Sequence, residues 1–185
     1  MDRAEKLLFI ALLPPEEIQQ YVNGIKQHFA EVYDSRAAQK SPPHITLQPP
    51  FKLHLEQLPF LEAKLEQFAP NQFPITLTLS GFSAFKPRVI YINVLKTPQL
   101  LALHKELTTY LEKSLNIVDR PSQTRPFAPH LTVAFRDLTK QNFCKAWVEF
   151  ESRQVHFEFI VPKLTLLIHD RKRWQIGKEF LFGKV

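Results

Sequence analysis

A ten-residue phrase occurs twice in this chain, as SPPHITLQPP at 41–50 and as FAPHLTVAFR at 127–136. Each copy runs proline, histidine, aliphatic, threonine, aliphatic, and the histidines His44 and His130 stand 86 residues apart. The echo extends well beyond the motif. LTLS at 77–80 and LTLL at 164–167 are 87 residues apart, and each leads into a basic turn, KPR at 86–88 and DRKR at 170–173. Self-similarity at a fixed offset marks a structural unit used more than once. The chain therefore reads as a duplicated α+β unit, with pseudo-repeats over about 7–82 and 89–182 inside one bilobal domain spanning 1–185. Each lobe is expected to hold a mainly antiparallel sheet backed by helices, with the cleft between the lobes.

The elements inside each half follow from apolar spacing. Leu7–Leu13 is a continuous apolar run of strand length, suited to burial on both faces. Pro14 and Pro15 followed by Glu16 and Glu17 make a helix start, and Ile18, Val22, Ile25, Phe29 and Val32 continue it at helical spacing. A polar loop at 34–43 delivers the chain into the first motif, which Pro49 and Pro50 are expected to end. Leu58, Leu61, Leu65 and Phe68 form a second helix, and 73–95 reads as a hairpin. Leu100, Leu103, Leu107, Leu111 and Leu115 stripe a third helix, and a basic loop at 116–129 then enters the second motif. Asp137 and Thr139 are placed to cap a fourth helix with the stripe Phe143, Ala146, Trp147 and Phe150. VHFEFIV, KLTLLIH and WQIGKEFLF close the chain as strands.

Composition narrows the function classes. Sixteen Phe supply ample core, while only four Gly argue against a linker-rich chain. A single cysteine, Cys144, excludes an internal disulfide, and its helical setting suggests a buried, inert thiol. No Cys/His cluster has zinc-site spacing. The apolar run near the N-terminus is too short for a membrane span and lacks a cleavage site, which points to a cytoplasmic protein with no membrane partner. A net charge of +6 favours an anionic partner without identifying it.

The motif carries the chemistry. Side chains alternate along a strand, so His44 and Thr46 share one face, about 7 Å apart, and Ile45 and Leu47 the other. His130 and Thr132 stand against Leu131 and Val133 in the same way. Two such strands meeting across a pseudo-twofold axis would line one groove with two imidazoles and two hydroxyls. An imidazole serves as general base or, protonated, as general acid. Threonine hydroxyls can donate to the non-bridging oxygens of a phosphodiester, where transition-state charge collects. Pro43 and Pro129 bias each entry towards extended backbone. By the same alternation Arg136 continues the face of His130 and Thr132, adding positive charge. The remaining histidines (His28, His54, His104, His156 and His169) sit in no such pattern and read as structural or surface residues.

Cations in the two entry loops, Arg36, Lys40, Arg120 and Arg125, are placed to meet a nucleic-acid backbone. Phe51, Phe127 and Trp174 are candidates for stacking on a base.

FIALLPPEE followed by a helix, PPHITLQPPF and FAPHLTVAFR together resemble the two-histidine phosphoesterase superfamily, in the branch of RNA 2′,3′-cyclic phosphodiesterases and 2′-5′ RNA ligases. The resemblance spans the whole chain. It implies that His44 and His130 are catalytic and that Thr46 and Thr132 bind phosphate, with no metal and no cofactor. It further implies that His130 activates water and His44 protonates the leaving oxygen. Relatives often carry an arginine five residues after the second histidine, where this chain has Phe135 and places Arg136 one residue later. The implied reaction opens 2′,3′-cyclic phosphate ends of RNA to 2′-phosphates, with reversible 2′-5′ ligation beside it. The implied partners are RNA ends or nucleotide 2′,3′-cyclic phosphates, and Arg125, Arg136 and Phe51 are the substrate-binding candidates. A monomer is expected. Two other readings stay open: a phosphodiesterase acting on linear 2′-5′ linkages or a small cyclic nucleotide, and an RNA-binding module without turnover.

Overall fold

A computed structural model describes residues 5–120 and 124–183, so part of the second entry loop, 121–123, lies outside the described residues. The chain runs β1 (Glu5–Leu12), α1 (Glu16–Val32), β2 (Ile45–His54), α2 (Leu58–Phe68) and β3 (Ile75–Phe85). It continues with β4 (Val89–Val94), α3 (Pro98–Leu115), β5 (His130–Ala134), α4 (Lys140–Phe150), β6 (His156–Val161), β7 (Lys163–His169) and β8 (Trp174–Leu181). The strands form two four-stranded sheets, ordered β2-β1-β7-β8 and β5-β4-β3-β6. Every neighbouring pair is antiparallel. This is the bilobal, duplicated α+β fold expected from the repeat.

The lobes do not coincide with the sequence halves. β3 closes the first half, yet it pairs with β4 and β6; β7, which echoes it, pairs with β1 and β8. The first half thus lends β3 to the second half's sheet, and the second half lends β7 and β8 to the first half's. The helices cross over as well, α1 lying against β5 and α3 against β2. One apolar core consequently joins both sheets, from Leu8 and Ile10 of β1 to Leu131 and Val133 of β5.

The exchange also explains β1. Leu8, Ile10 and Leu12 face the shared core, while Phe9, Ala11 and Leu13 pack with Leu167 on the opposite side, so both faces are buried. Both motif strands are edge strands, β2 of one sheet and β5 of the other.

Three expectations are corrected. Pro49 and Pro50 do not end the first motif, because β2 continues through them to His54. Proline is tolerated there since an edge strand can point its missing N–H away from the sheet, and the β1–β2 pairing shifts register beside it. Cys144 is exposed, because Phe143, Ala146 and Phe150 turn the opposite side of α4 to the core. Asp137 does not cap α4; Thr139 does, accepting the Asn142 N–H at 3.1 Å. Asp137 instead reaches across to the first half, accepting from Ser35 Oγ at 2.9 Å and from the N–H groups of Arg36 and Ala37 at 2.8 and 2.9 Å. It ties the end of the second motif to the loop that feeds the first.

Candidate active site

Edge placement brings the two motifs together. Ile45, Leu47, Leu131 and Val133 are all buried in the shared core. By alternation His44, Thr46, His130 and Thr132 project to the other side, and all four line one cleft of about 310 Å³. That volume suits a nucleotide-sized group.

The two histidines are held alike. His44 Nδ1 lies 2.7 Å from the carbonyl of Pro42, and His130 Nδ1 lies 2.7 Å from the carbonyl of Ala128. A carbonyl oxygen only accepts, so Nδ1 carries the proton in both rings. The neutral form then presents a bare Nε2, the nitrogen left to the cleft. Aromatic rings brace each imidazole. Phe9 of β1 packs on His44 at 4.7 Å, and Tyr91 of β4 packs on His130 at 5.1 Å. Phe85 meets His130 edge-on, also at 5.1 Å.

Burial pushes the His44 imidazole down to about 4, helped by the charges of Lys26 and His130 and opposed by the Pro42 carbonyl. Burial also lowers His130, against the pull of the Ala128 carbonyl. Both rings therefore rest neutral near pH 7, and an anion between them would stabilise their protonated forms.

Among the substrate-binding candidates, Arg136 reaches the cleft, though not by alternation. β5 ends at Ala134, and Arg136 turns with a φ of 60°, so Phe135 and Arg136 both border the cleft. Arg125 lines an adjoining pocket that shares Thr46, Phe85 and His130. Phe51 is not brought in; it packs against the hydrophobic core beside Leu8, its β1 partner. Phe127 lines Arg125's pocket, but one face of its ring is covered by His104, stacked at 3.8 Å. His104 in turn meets Asp119 at 3.3 Å, both buried. Trp174 lines the cleft, its ring edge-on to Phe9 at 4.5 Å.

Lys26 escaped the sequence reading. It is 2% exposed on α1, and its Nζ donates to the Ser41 carbonyl at 2.9 Å, pinning the segment that enters the first motif. Desolvation lowers it to about 7. A signal was present: position 26 falls on the stripe of Val22 and Phe29, where a helix of this kind carries apolar residues. Phe9 and Phe85 were likewise missed, since nothing in strand periodicity separates a cleft wall from a core wall.

Among the described residues, no group of three or more His, Cys, Asp or Glu is placed to hold a metal ion. None of the described helices is long and apolar enough to cross a membrane.

Two tautomerically matched imidazoles and two hydroxyls on facing edge strands thus line a single cleft. The profile of the 2′-5′ RNA ligase superfamily matches residues 14–173, and the chain belongs to that superfamily. It is 30% identical over 177 residues to "Putative phosphoesterase GK0864" of Geobacillus kaustophilus, covering 94% of this chain and 95% of the relative. Among solved structures, TT0787 of Thermus thermophilus matches with a TM-score of 0.68 at 21% identity, over 96% of this chain and 98% of that one. Escherichia coli LigT complexed with 3′-AMP matches with a TM-score of 0.68 at 21% identity, over 98% of this chain and 100% of that one.

Proposed function

We propose that this phosphoesterase is a metal-independent phosphodiesterase that hydrolyses 2′,3′-cyclic phosphate ends of RNA to 2′-phosphates, with reversible 2′-5′ ligation beside it, in which a 5′-hydroxyl takes the place of water. One observation carries the reading: two imidazoles, each with Nδ1 bound to a backbone carbonyl, turn into a single cleft between two threonines. The nucleotide seen in the LigT complex supports a nucleotide end as the substrate.

One imidazole takes a proton from water through Nε2 as the water oxygen attacks phosphorus. The P–O3′ bond breaks, and the other imidazole, protonated, gives its Nε2 proton to O3′. Thr46 and Thr132 donate to the non-bridging oxygens, and Arg136 adds positive charge at the mouth of the cleft. The resemblance to relatives gives the base role to His130 and the acid role to His44. A ring lowered to about 4 serves as acid once the anionic phosphate sits beside it and favours its protonated form.

Incubation in EDTA with an oligoribonucleotide ending in a 2′,3′-cyclic phosphate tests this. The expected product is a 2′-phosphate, formed at the rate seen without EDTA. Loss of activity in EDTA, or a 3′-phosphate product, would sink the mechanism. Thr46→Val and Thr132→Val should each lower kcat by about 10²-fold, the scale of losing one transition-state donor.

The pH profile follows from the two lowered imidazoles. Turnover needs one ring neutral and one protonated, whichever holds which role. Below about 4 both rings are protonated and no base is left, and above the lowered value of the other ring both are neutral and no acid is left. A plot of kcat/KM against pH should therefore be a bell centred on the acid side of the ordinary imidazole value, about 6.5. The bell for kcat should lie at higher pH, because bound phosphate raises both values. A kcat/KM optimum well above neutrality would contradict this assignment.

A further inference from the structure

A second pocket, of about 240 Å³, opens beside the catalytic cleft and shares Ser41, Phe135, Arg136 and Trp174 with it. Lys40 and His169 also line it. His169 lies at the end of β7, and the turn that follows fixes its tautomer. The Arg171 N–H donates to His169 Nδ1 at 3.2 Å, so the neutral ring carries its proton on Nε2, the reverse of His44 and His130. A ring held this way offers its Nε2 as a hydrogen-bond donor. It sits edge-on to Trp174 at 4.9 Å, and Trp174 sits edge-on to Phe9, which packs on His44.

Two cations and a fixed donor converge on this pocket. Lys40 comes from the loop before the first motif, Arg136 from the end of the second, and His169 from the β7–β8 turn. Two acids stand nearby, and both are occupied. Asp137, which lines the pocket, accepts three hydrogen bonds from residues 35–37. Asp170 accepts from the N–H groups of Lys172 and Arg173 and from the Gln175 amide, and these bonds hold its carboxyl well below the usual range. Each carboxylate is committed to shaping a turn.

We propose that this pocket is a second phosphate subsite, taking the phosphate on the 5′ oxygen of the terminal nucleotide while the cyclic phosphate lies between His44 and His130. The proposal rests on the phosphoester reading of the cleft and deepens it. A terminal nucleotide in RNA carries one phosphate at the reacting end and one on O5′, so a two-phosphate site selects an oligonucleotide end, or a 5′-phosphorylated nucleotide, over a free nucleoside cyclic phosphate. His169, Lys40 and Arg136 supply two cations and a fixed donor for that second group.

Binding separates this proposal from the reaction itself. Calorimetry with a nucleoside 3′,5′-bisphosphate and with the matching 3′-monophosphate, neither of which contains a bond to hydrolyse in this reaction, reads the subsite alone. Wild type should bind the bisphosphate about 10-fold more tightly, the scale of one added charge-assisted contact. His169→Ala and Lys40→Ala should each bring that ratio towards one. His169→Gln, whose amide can place an N–H near the position of Nε2, should keep most of it. A ratio of one in wild type, or a ratio untouched by both alanine variants, overturns the subsite. A second measurement compares turnover of a nucleoside 2′,3′-cyclic phosphate with and without a 5′-phosphate. A KM that ignores the 5′-phosphate overturns the subsite and leaves the catalytic reading standing. An intact affinity ratio with no turnover of either substrate supports the subsite and removes the catalytic reading.

Discussion

Replacing His44 or His130 by Ala should lower kcat/KM on 2′,3′-cyclic phosphate ends by about 10²–10⁴-fold, the range for losing one positioned acid or base. The loss arises because each ring has its Nδ1 proton committed to a backbone carbonyl, leaving Nε2 as the atom that exchanges protons with the substrate. The two losses should not multiply. Once one imidazole is gone the other has no partner across phosphorus, so the double variant should sit close to the worse single one. His156→Ala supplies the contrast, since His156 is exposed at the start of β6 and away from the cleft residues. Circular dichroism and the urea midpoint show whether each variant remains folded. A folded double variant with near-wild-type turnover would remove both histidines from the mechanism.

The largest effect on stability is expected at Phe150. This ring is fully buried on α4, stacked on Phe29 of α1 at 4.7 Å and edge-on to Phe82 of β3 at 5.0 Å. It joins elements from both halves of the chain beneath the exchanged strands. Phe150→Ala should cost about 3–5 kcal/mol, combining lost transfer energy with a cavity that close-packed neighbours only partly fill. Urea denaturation should show a lower midpoint with an unchanged slope. Val148, two residues away and 80% exposed, gives the opposite expectation: Val148→Ala should stay within about 0.5 kcal/mol of wild type. Equal effects at the two positions would mean that α4 does not pack as described.

The histidine–threonine pairs were legible in the sequence because strand alternation is a local rule. Given Ile45 and Leu47 in the core, His44 and Thr46 must face away from it, and the second copy obeys the same rule. Arg136 shows where that rule stops. The residue borders the cleft, but the strand ends two residues earlier and a left-handed turn, not alternation, carries it there. Phe51 lies outside the cleft for a related reason. Its strand runs on through two prolines with a register shift, and its ring joins the core. His169 read as an incidental histidine because the residues that share its pocket come from two distant segments and its tautomer from a turn.

By itself the sequence determined the repeat, the order of strands and helices, and which four side chains share a face. Those depend on spacing along the chain, and spacing is what a sequence records. Only the tertiary structure decided that the two halves exchange strands and thereby set β2 and β5 at facing edges. It alone placed Lys26 under Ser41 and His169 beside Arg136. Contacts of that kind form between segments far apart in sequence, and they are selected by the burial of one shared core that neither half can complete alone.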